Sequence, residues 1–186
     1  MRIIGGRFRG RVIHFPSRQK LRPTPARVRE TLFNWLGQDL TGKACLDLFA
    51  GSGALGFEAA SRGARCVVMV EADRAAFLAL EATRAKLNAA TVRLVWGDAV
   101  QFLERDQGKY DVLLIDPPYG SAVLPEVARL FPPRAAEEAR LYIETGDERA
   151  LAEVLQAGIW EIHRKTRAGA VNAVLLARRC RQTATV

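Results

Sequence analysis

Asp116-Pro117-Pro118-Tyr119 follows directly on the apolar run Val112–Ile115. Each proline ring locks its own φ and restricts the residue before it, so the turn holds its polar groups in a fixed direction. The side chain of Asp116 and the carbonyl of Pro117 then form a pair of aimed acceptors. Two such acceptors suit the two hydrogens of an exocyclic amine on a nucleic-acid base. That nitrogen is a poor nucleophile because its lone pair is delocalised into the ring. The chemistry favoured is transfer of an already activated methyl group, with the rate gained by positioning and electrostatics. Pro118 stiffens the turn, and the ring of Tyr119 can stack on a base that is unpaired or flipped out.

A second set of residues could hold the donor. "DLFAGSGALGFEA", from Asp47 to Ala59, satisfies G-x-G-x-x-G through Gly51, Gly53 and Gly56. Glu71 follows 20 positions after Gly51, which completes the dinucleotide fingerprint. The glycines permit a tight turn and close approach of a ligand to backbone N–H groups. Glu71 can accept from ribose hydroxyls, and Asp98 from an amine such as that of adenine. Either acid alone would read as an ordinary helix cap at a strand exit; their register on successive strands favours an adenosine-containing cofactor. A nicotinamide cofactor fits poorly. Asp47, four residues ahead of Gly51, would repel a pyrophosphate and favour a cationic ligand, and hydride transfer has no use for the Asp116–Tyr119 turn.

The elements that must position these loops alternate. Apolar runs predict strands at Ala44–Phe49, Cys66–Val70, Val92–Trp96, Val112–Ile115, Leu141–Ile143, Trp160–Ile162 and Val171–Ala177, with helices at Gly53–Arg62, Arg74–Leu87 and Ala99–Arg105. Strand–helix alternation with short connections implies an α/β fold with a mostly parallel sheet covered by helices. Only "RKTRAGA" separates the last two strands. It leaves no room for a crossover helix, so an antiparallel C-terminal hairpin is expected. Ligands in such sheets bind outside the carboxyl ends of the strands, where the five loops "GSG", "EAD", "GDA", "DPPYG" and "ETGD" lie.

Ahead of this pattern stands a basic segment. Met1 to Arg29 holds nine of the 28 Lys and Arg residues and no acid, leaving 19 basic against 20 acidic residues in the rest. The net charge of +8 therefore originates at the N-terminus, and favours a polyanionic partner through phosphate contacts. Two short β-like runs, Arg2–Ile4 and Arg11–Phe15, predict a small hairpin. A helix should follow, with Thr24 as its cap, Pro25 in its first turn and a stop at Gly37. The predicted organisation is a basic extension over 1–40 and a catalytic domain over 41–186, together one compact unit. No signal peptide or membrane-length apolar run is present, so a cytoplasmic protein is expected. Cys45 and Cys66 sit in apolar runs and read as inert buried thiols. No Cys/His cluster suggests a metal.

Taken in order, "DLFAGSGALGFEA", "VEAD", "GDA" and "DPPY" resemble the class I S-adenosylmethionine-dependent methyltransferases that act on amines. The lead-in "GGRFRGR" with "RPTPARVRETLFNWL" is similar to the bacterial 16S rRNA guanine-N2 methyltransferase family, the RsmD type. The resemblance runs from about residue 2 to 178. It implies a Rossmann-like seven-stranded sheet with a small basic N-terminal hairpin and helix. It places S-adenosyl-L-methionine among Asp47, Phe49, Gly51, Gly53, Glu71, Ala72, Asp98 and Ala99, and guanine N2 at Asp116–Tyr119. Arg7, Arg9, Arg11, Arg22, Arg27 and Arg29 would be phosphate contacts to small-subunit rRNA, in an assembled or partly assembled 30S particle. Apart from the resemblance, a small domain without an association stripe is expected to be a monomer, and no metal is expected. The family commonly carries an acid where Ala26 stands, which removes an expected partner for an arginine of that segment. Methylation of adenine N6 is the main alternative, since the tetrapeptide does not distinguish the two bases. A non-catalytic RNA-binding assembly factor and a nicotinamide-dependent oxidoreductase are the others.

Overall fold

A computed structural model describes residues 1–15, 25–118, 120–168 and 171–179. The expectations placed on Arg22, Thr24 and Tyr119 lie outside these residues. The elements in chain order are α1 (Ala26–Leu36), β1 (Ala44–Asp47), α2 (Ala54–Ser61), β2 (Cys66–Glu71), α3 (Arg74–Leu87), β3 (Val92–Trp96), α4 (Ala99–Arg105), β4 (Tyr110–Ile115), α5 (Leu124–Leu130), β5 (Ala135–Thr145), α6 (Glu148–Gln156), β6 (Trp160–Ala168) and β7 (Val171–Arg178).

The seven strands form one sheet in the order β3-β2-β1-β4-β5-β7-β6. β1 pairs in parallel with β2 and β4, on its two sides. The chain thus reverses its direction of winding beside β1, and a crevice opens at the carboxyl ends of β1 and β4. β7 runs antiparallel to both β5 and β6, as the short connection predicts. Strands buried on both faces read as continuous apolar runs, and "VVMV" and "VLLI" do so here. One face carries Cys45, Met69, Leu114, Tyr142 and Leu175 against α1, α2, α3 and the N-terminal segment. The other carries Leu46, Val70, Ile115, Ile143 and Val174 against α4, α5 and α6. Cys45 is buried, and burial pushes its thiol up to about 12. Cys66 is only half-buried.

Several boundaries move for identifiable reasons. β5 begins at Ala135, well before the apolar run Leu141–Ile143, because Ala135 already pairs with Tyr110 of β4 and Arg140 with Val112 across an irregularity in register. α5 was not expected, because its 7 residues are too few to show a helical apolar period, although Pro125 in its first turn and Pro132 beyond its end mark its limits. α6 is capped by Asp147, whose carboxylate accepts from the N–H groups of Arg149 and Ala150. Pro25 is the N-cap of α1, one place ahead of its expected position in the first turn. The predicted N-terminal hairpin is a single bridge between Arg2 and Val12. It is no loose arm, since Ile3, Phe8 and Ile13 are buried in the same core as Leu32 and Phe33 of α1. β6 runs on to Ala168, so most of the basic stretch expected between the last strands belongs to β6 itself. Among the described residues, no helix is long and apolar enough to cross a membrane.

Candidate active site

The carboxyl rim of the sheet is tied together laterally before any side chain is considered. Leu48 N–H donates to the Leu114 carbonyl at 3.1 Å, Ala50 N–H to Val70 at 2.9 Å, and Gly97 N–H to Glu71 at 3.0 Å. The loops leaving β1, β2 and β3 are therefore held in register with β4. Gly51 and Gly53 turn the chain at φ of 52° and 79°, values that side chains with a Cβ seldom adopt. A Cβ on Gly53 would also meet Phe57 at 2.6 Å and Leu80 at 2.7 Å. Gly56, the third of the fingerprint, lets α2 close onto β2, because a Cβ there would lie 2.7 Å from the Met69 sulfur.

Three carboxylates line this rim. Asp47 is 1% exposed at the end of β1, and its Oδ2 accepts from Gly56 N–H at 2.9 Å. Burial raises its carboxyl to about 7, opposed by that hydrogen bond and assisted by the charge of Glu71. Glu71 Oε2 accepts from Gly51 N–H at 2.7 Å and Oε1 from Asp73 N–H at 2.7 Å. The acid after β2 thus fixes the glycine turn after β1, and each oxygen retains a lone pair for a ligand hydroxyl. Asp98 is the N-cap of α4: its Oδ1 accepts from Val100 and Gln101, and its side chain is exposed. It is a true helix cap. Ala99 is buried beside it, Ala72 is exposed after β2, and Phe49 is half-buried after β1. The eight residues expected around a cofactor therefore share one rim.

On the far side of the crevice, Asp116 leaves β4 half-buried, followed by half-buried Pro117 and exposed Pro118. Ser121 N–H closes the turn on the Pro118 carbonyl at 3.0 Å. Beneath it, the Tyr142 hydroxyl donates to Glu144 Oε1 at 2.7 Å. Burial raises the Tyr142 phenol far above its ordinary range, and the charges of Glu144 and then Asp116 add to the effect. The buried Tyr142 phenol therefore stays protonated.

Two residues escaped the motif reading. Trp96, 54% exposed at the end of β3, donates from its indole N–H to the Ala72 carbonyl at 3.2 Å. The Arg74 guanidinium lies 5.0 Å from the centre of the indole. Trp96 thus braces the loop after Glu71, and its place at a strand end next to "GDA" was the available signal. Glu58 on α2 is fully buried. Its Oε2 accepts from Ile4 N–H and its Oε1 from Gly5 N–H, both at 2.8 Å. Arg62 donates to Oε1 at 2.9 and 3.0 Å, and Arg29 stands 3.6 Å from Oε2. A lone acid inside the apolar run "ALGFEAA" was the sign of it.

The arginines expected to touch phosphate separate. Arg7, Arg9, Arg11 and Arg27 are exposed. Arg29 is 3% exposed, bonded to the Arg2 carbonyl and paired with Glu58. It is a structural cation and does not serve as a phosphate contact. Arg29 therefore has its carboxylate partner on α2, although Ala26 offers none within α1. Arg7 also lies far from the crevice. Its N–H donates to the Ser61 carbonyl at the end of α2, and the 8 residues of that helix carry the chain about 12 Å from the glycine turn.

A seven-stranded sheet in this order, with a glycine turn after β1 and an acid at the end of β2 on its carboxyl rim, is the class I methyltransferase fold. Residues 1–177 match the family described as Conserved hypothetical protein 95, and the chain belongs to it. Ribosomal RNA small subunit methyltransferase D of Escherichia coli is 42% identical over 173 residues, covering 92% of this chain and 86% of that protein. The protein of the same name from Buchnera aphidicola is 39% identical over 129 residues, covering 69% and 68%. The solved Escherichia coli protein yhhF superposes with a TM-score of 0.85 at 40% identity, over 97% of this chain and 98% of that one.

Proposed function

We propose that this protein transfers a methyl group from S-adenosyl-L-methionine to the exocyclic N2 of a guanine in small-subunit rRNA. The observation that carries the reading is the shared carboxyl rim, with Asp116-Pro117-Pro118 after β4 across the crevice from the glycine turn after β1, in a chain whose relatives are named for small-subunit rRNA. The donor set fits the cofactor. Asp47, buried and desolvated, gains most from a cationic neighbour. Glu71 has lone pairs suited to ribose hydroxyls, and the exposed carboxylate of Asp98 has further acceptor capacity suited to the adenine amine. When bound, S-adenosyl-L-methionine supplies a methyl on a sulfonium, an electrophile that needs no further activation.

The chain's own residues do the rest. Asp116 and the Pro117 carbonyl accept the two amine hydrogens, which draws the lone pair out of conjugation and turns it toward the crevice. Pro117 and Pro118 keep those acceptors aimed, and Tyr119 stacks on the base. The proton shed by the nitrogen passes to Asp116 or to water. Asp47, Phe49, Gly51, Gly53, Glu71, Ala72, Asp98 and Ala99 hold the cofactor, and Arg7, Arg9, Arg11 and Arg27 meet phosphate groups. The substrate is the assembled or partly assembled small subunit, and the protein acts in the cytoplasm as a monomer, with the segment over 1–40 as its RNA-binding extension.

The test supplies labelled S-adenosyl-L-methionine with unmodified small subunits, naked rRNA and DNA in parallel, followed by digestion to nucleosides and mass identification. N2-methylguanosine from the particle is the expected product. N6-methyladenine would retain the chemistry of Asp116 and overturn the choice of base. Asp116→Ala should abolish transfer with cofactor affinity near normal; loss of cofactor binding in that variant would refute its role at the amine.

A further inference from the structure

Outside the N-terminal segment the charges balance in number, but the fold does not spread them evenly. β6 is an edge strand of the sheet, and it carries "HRKTR" over residues 163–167 with Glu161 as its single acid. His163, Arg164, Lys165 and Arg167 are all exposed. Because β7 is antiparallel to both neighbours, β6 runs parallel to β5. Its basic half therefore points toward the carboxyl rim that holds Asp116. Arg167 pairs with Asn172, which pairs in turn with Thr145 at the end of β5. Three strand spacings, about 14 Å, separate β6 from β4 across the sheet.

A bulge arranges this charge. The register shifts between Ile162, opposite Leu176, and Arg164, opposite Leu175. One extra residue, His163, turns over the faces of all that follow. Arg164 takes the Leu175 face, while Lys165 takes the Val174 face. Since successive side chains alternate, the strand presents cations on both sides of its free edge, and the bulge decides which cation takes which side. Charges on an edge strand also discourage edge-to-edge pairing, but that role needs no concentration at the end nearest the crevice.

We propose that the β6 edge is a second RNA-binding surface, taking the phosphates of nucleotides that flank the methylated base through Arg164, Lys165 and Arg167. It complements the arm. Arg7 is anchored at the opposite end of α2, whereas the β6 edge lies on the reactive side. The inference rests on the function proposed above, since it requires an RNA substrate.

The experiment compares wild type with the double variant Arg164→Gln/Lys165→Gln on unmodified small subunits across a range of salt concentrations, with Arg164→Lys/Lys165→Arg as the charge-conserving control. Removing one cation from a phosphate should lower the slope of log affinity against log salt by about 1. Removing both should raise KM about tenfold near physiological salt, with kcat and cofactor affinity unchanged and the control like wild type. An unchanged slope and KM overturn the surface. So does a variant that self-associates in sedimentation while keeping its slope, which would assign the charges to edge protection alone. Failure of the underlying reading looks different, because wild type itself would then place no methyl on guanosine of the particle.

Discussion

Replacing Glu58 by Gln keeps the size and shape of the side chain while removing one charge. In the folded protein that carboxylate answers two backbone N–H groups of the N-terminal segment and two N–H groups of Arg62, with Arg29 alongside. The side chains of both arginines are 5% exposed or less, so water cannot replace the carboxylate. The amide must also turn its NH2 toward at least one of these donors. Breaking a buried ion pair from one side costs about 3–5 kcal/mol, because the remaining charge stays desolvated and unmatched. Against a total stability of about 5–15 kcal/mol that is severe. At about 2–4 °C per kcal/mol for a chain of this size, Tm should fall by about 6–20 °C. Urea unfolding followed by tryptophan fluorescence measures the loss. Limited trypsin digestion reports whether cleavage at Arg7, Arg9 and Arg11 accelerates, as release of the segment requires. A loss under about 1 kcal/mol with the segment still protected would refute the claim that Glu58 holds it to the domain.

Gly6→Ala should destabilise by more than about 2 kcal/mol, since φ is +70° and a Cβ would lie 1.9 Å from the Ser61 carbonyl oxygen. Gly10→Ala is the paired control, with a φ of +81° and open space around the Cβ; it should cost only the backbone strain of about 1–2 kcal/mol. Equal losses in urea unfolding would show that the close approach to Ser61 adds nothing to that strain. Asp47 gives a pH signature. Its folded pKa of about 7 is raised above the unfolded carboxylate value, so the folded protein binds the proton more tightly. Its stabilisation is complete below about pH 4, declines as pH rises and is gone above about pH 7. Asp47→Asn removes this dependence, so the variant should gain on wild type between those limits by on the order of a few kcal/mol. A gap that narrows with rising pH would contradict the burial argument.

Much of this was legible because the chemistry sits in contiguous strings. A strand, its exit loop and the helix after it occupy one stretch of chain, so the glycine turn, Glu71, Asp98 and Asp116 could each be placed at a strand end from local pattern alone. Parallel pairing then brings those ends to one rim. What remained hidden depended on contacts between distant stretches. Glu71 reads as a ribose acceptor, but its hold on Gly51 N–H bridges 20 residues. β5 outran its apolar core because neighbours on both sides supplied backbone partners for polar residues. The bulge at His163 changes no composition and no hydrophobic period, yet it decides which face Arg164 and Lys165 occupy.

The arginines show most clearly where a linear reading stops. A run of basic residues fixes net charge, but charge alone does not say which guanidiniums the fold consumes. Arg27 and Arg29 stand two apart in one helix, so they point in directions about 200° apart on its circumference. One is exposed and the other is buried against Glu58. Their difference is set by a carboxylate 29 residues further along in α2, and only packing α1 on that helix reveals it. The reverse holds for β6, where residues hidden in a balanced average become a concentrated surface once the edge of the sheet is known. Charge in the sequence therefore argues for a polyanionic partner, while burial and sheet order decide where on the molecule that partner can lie.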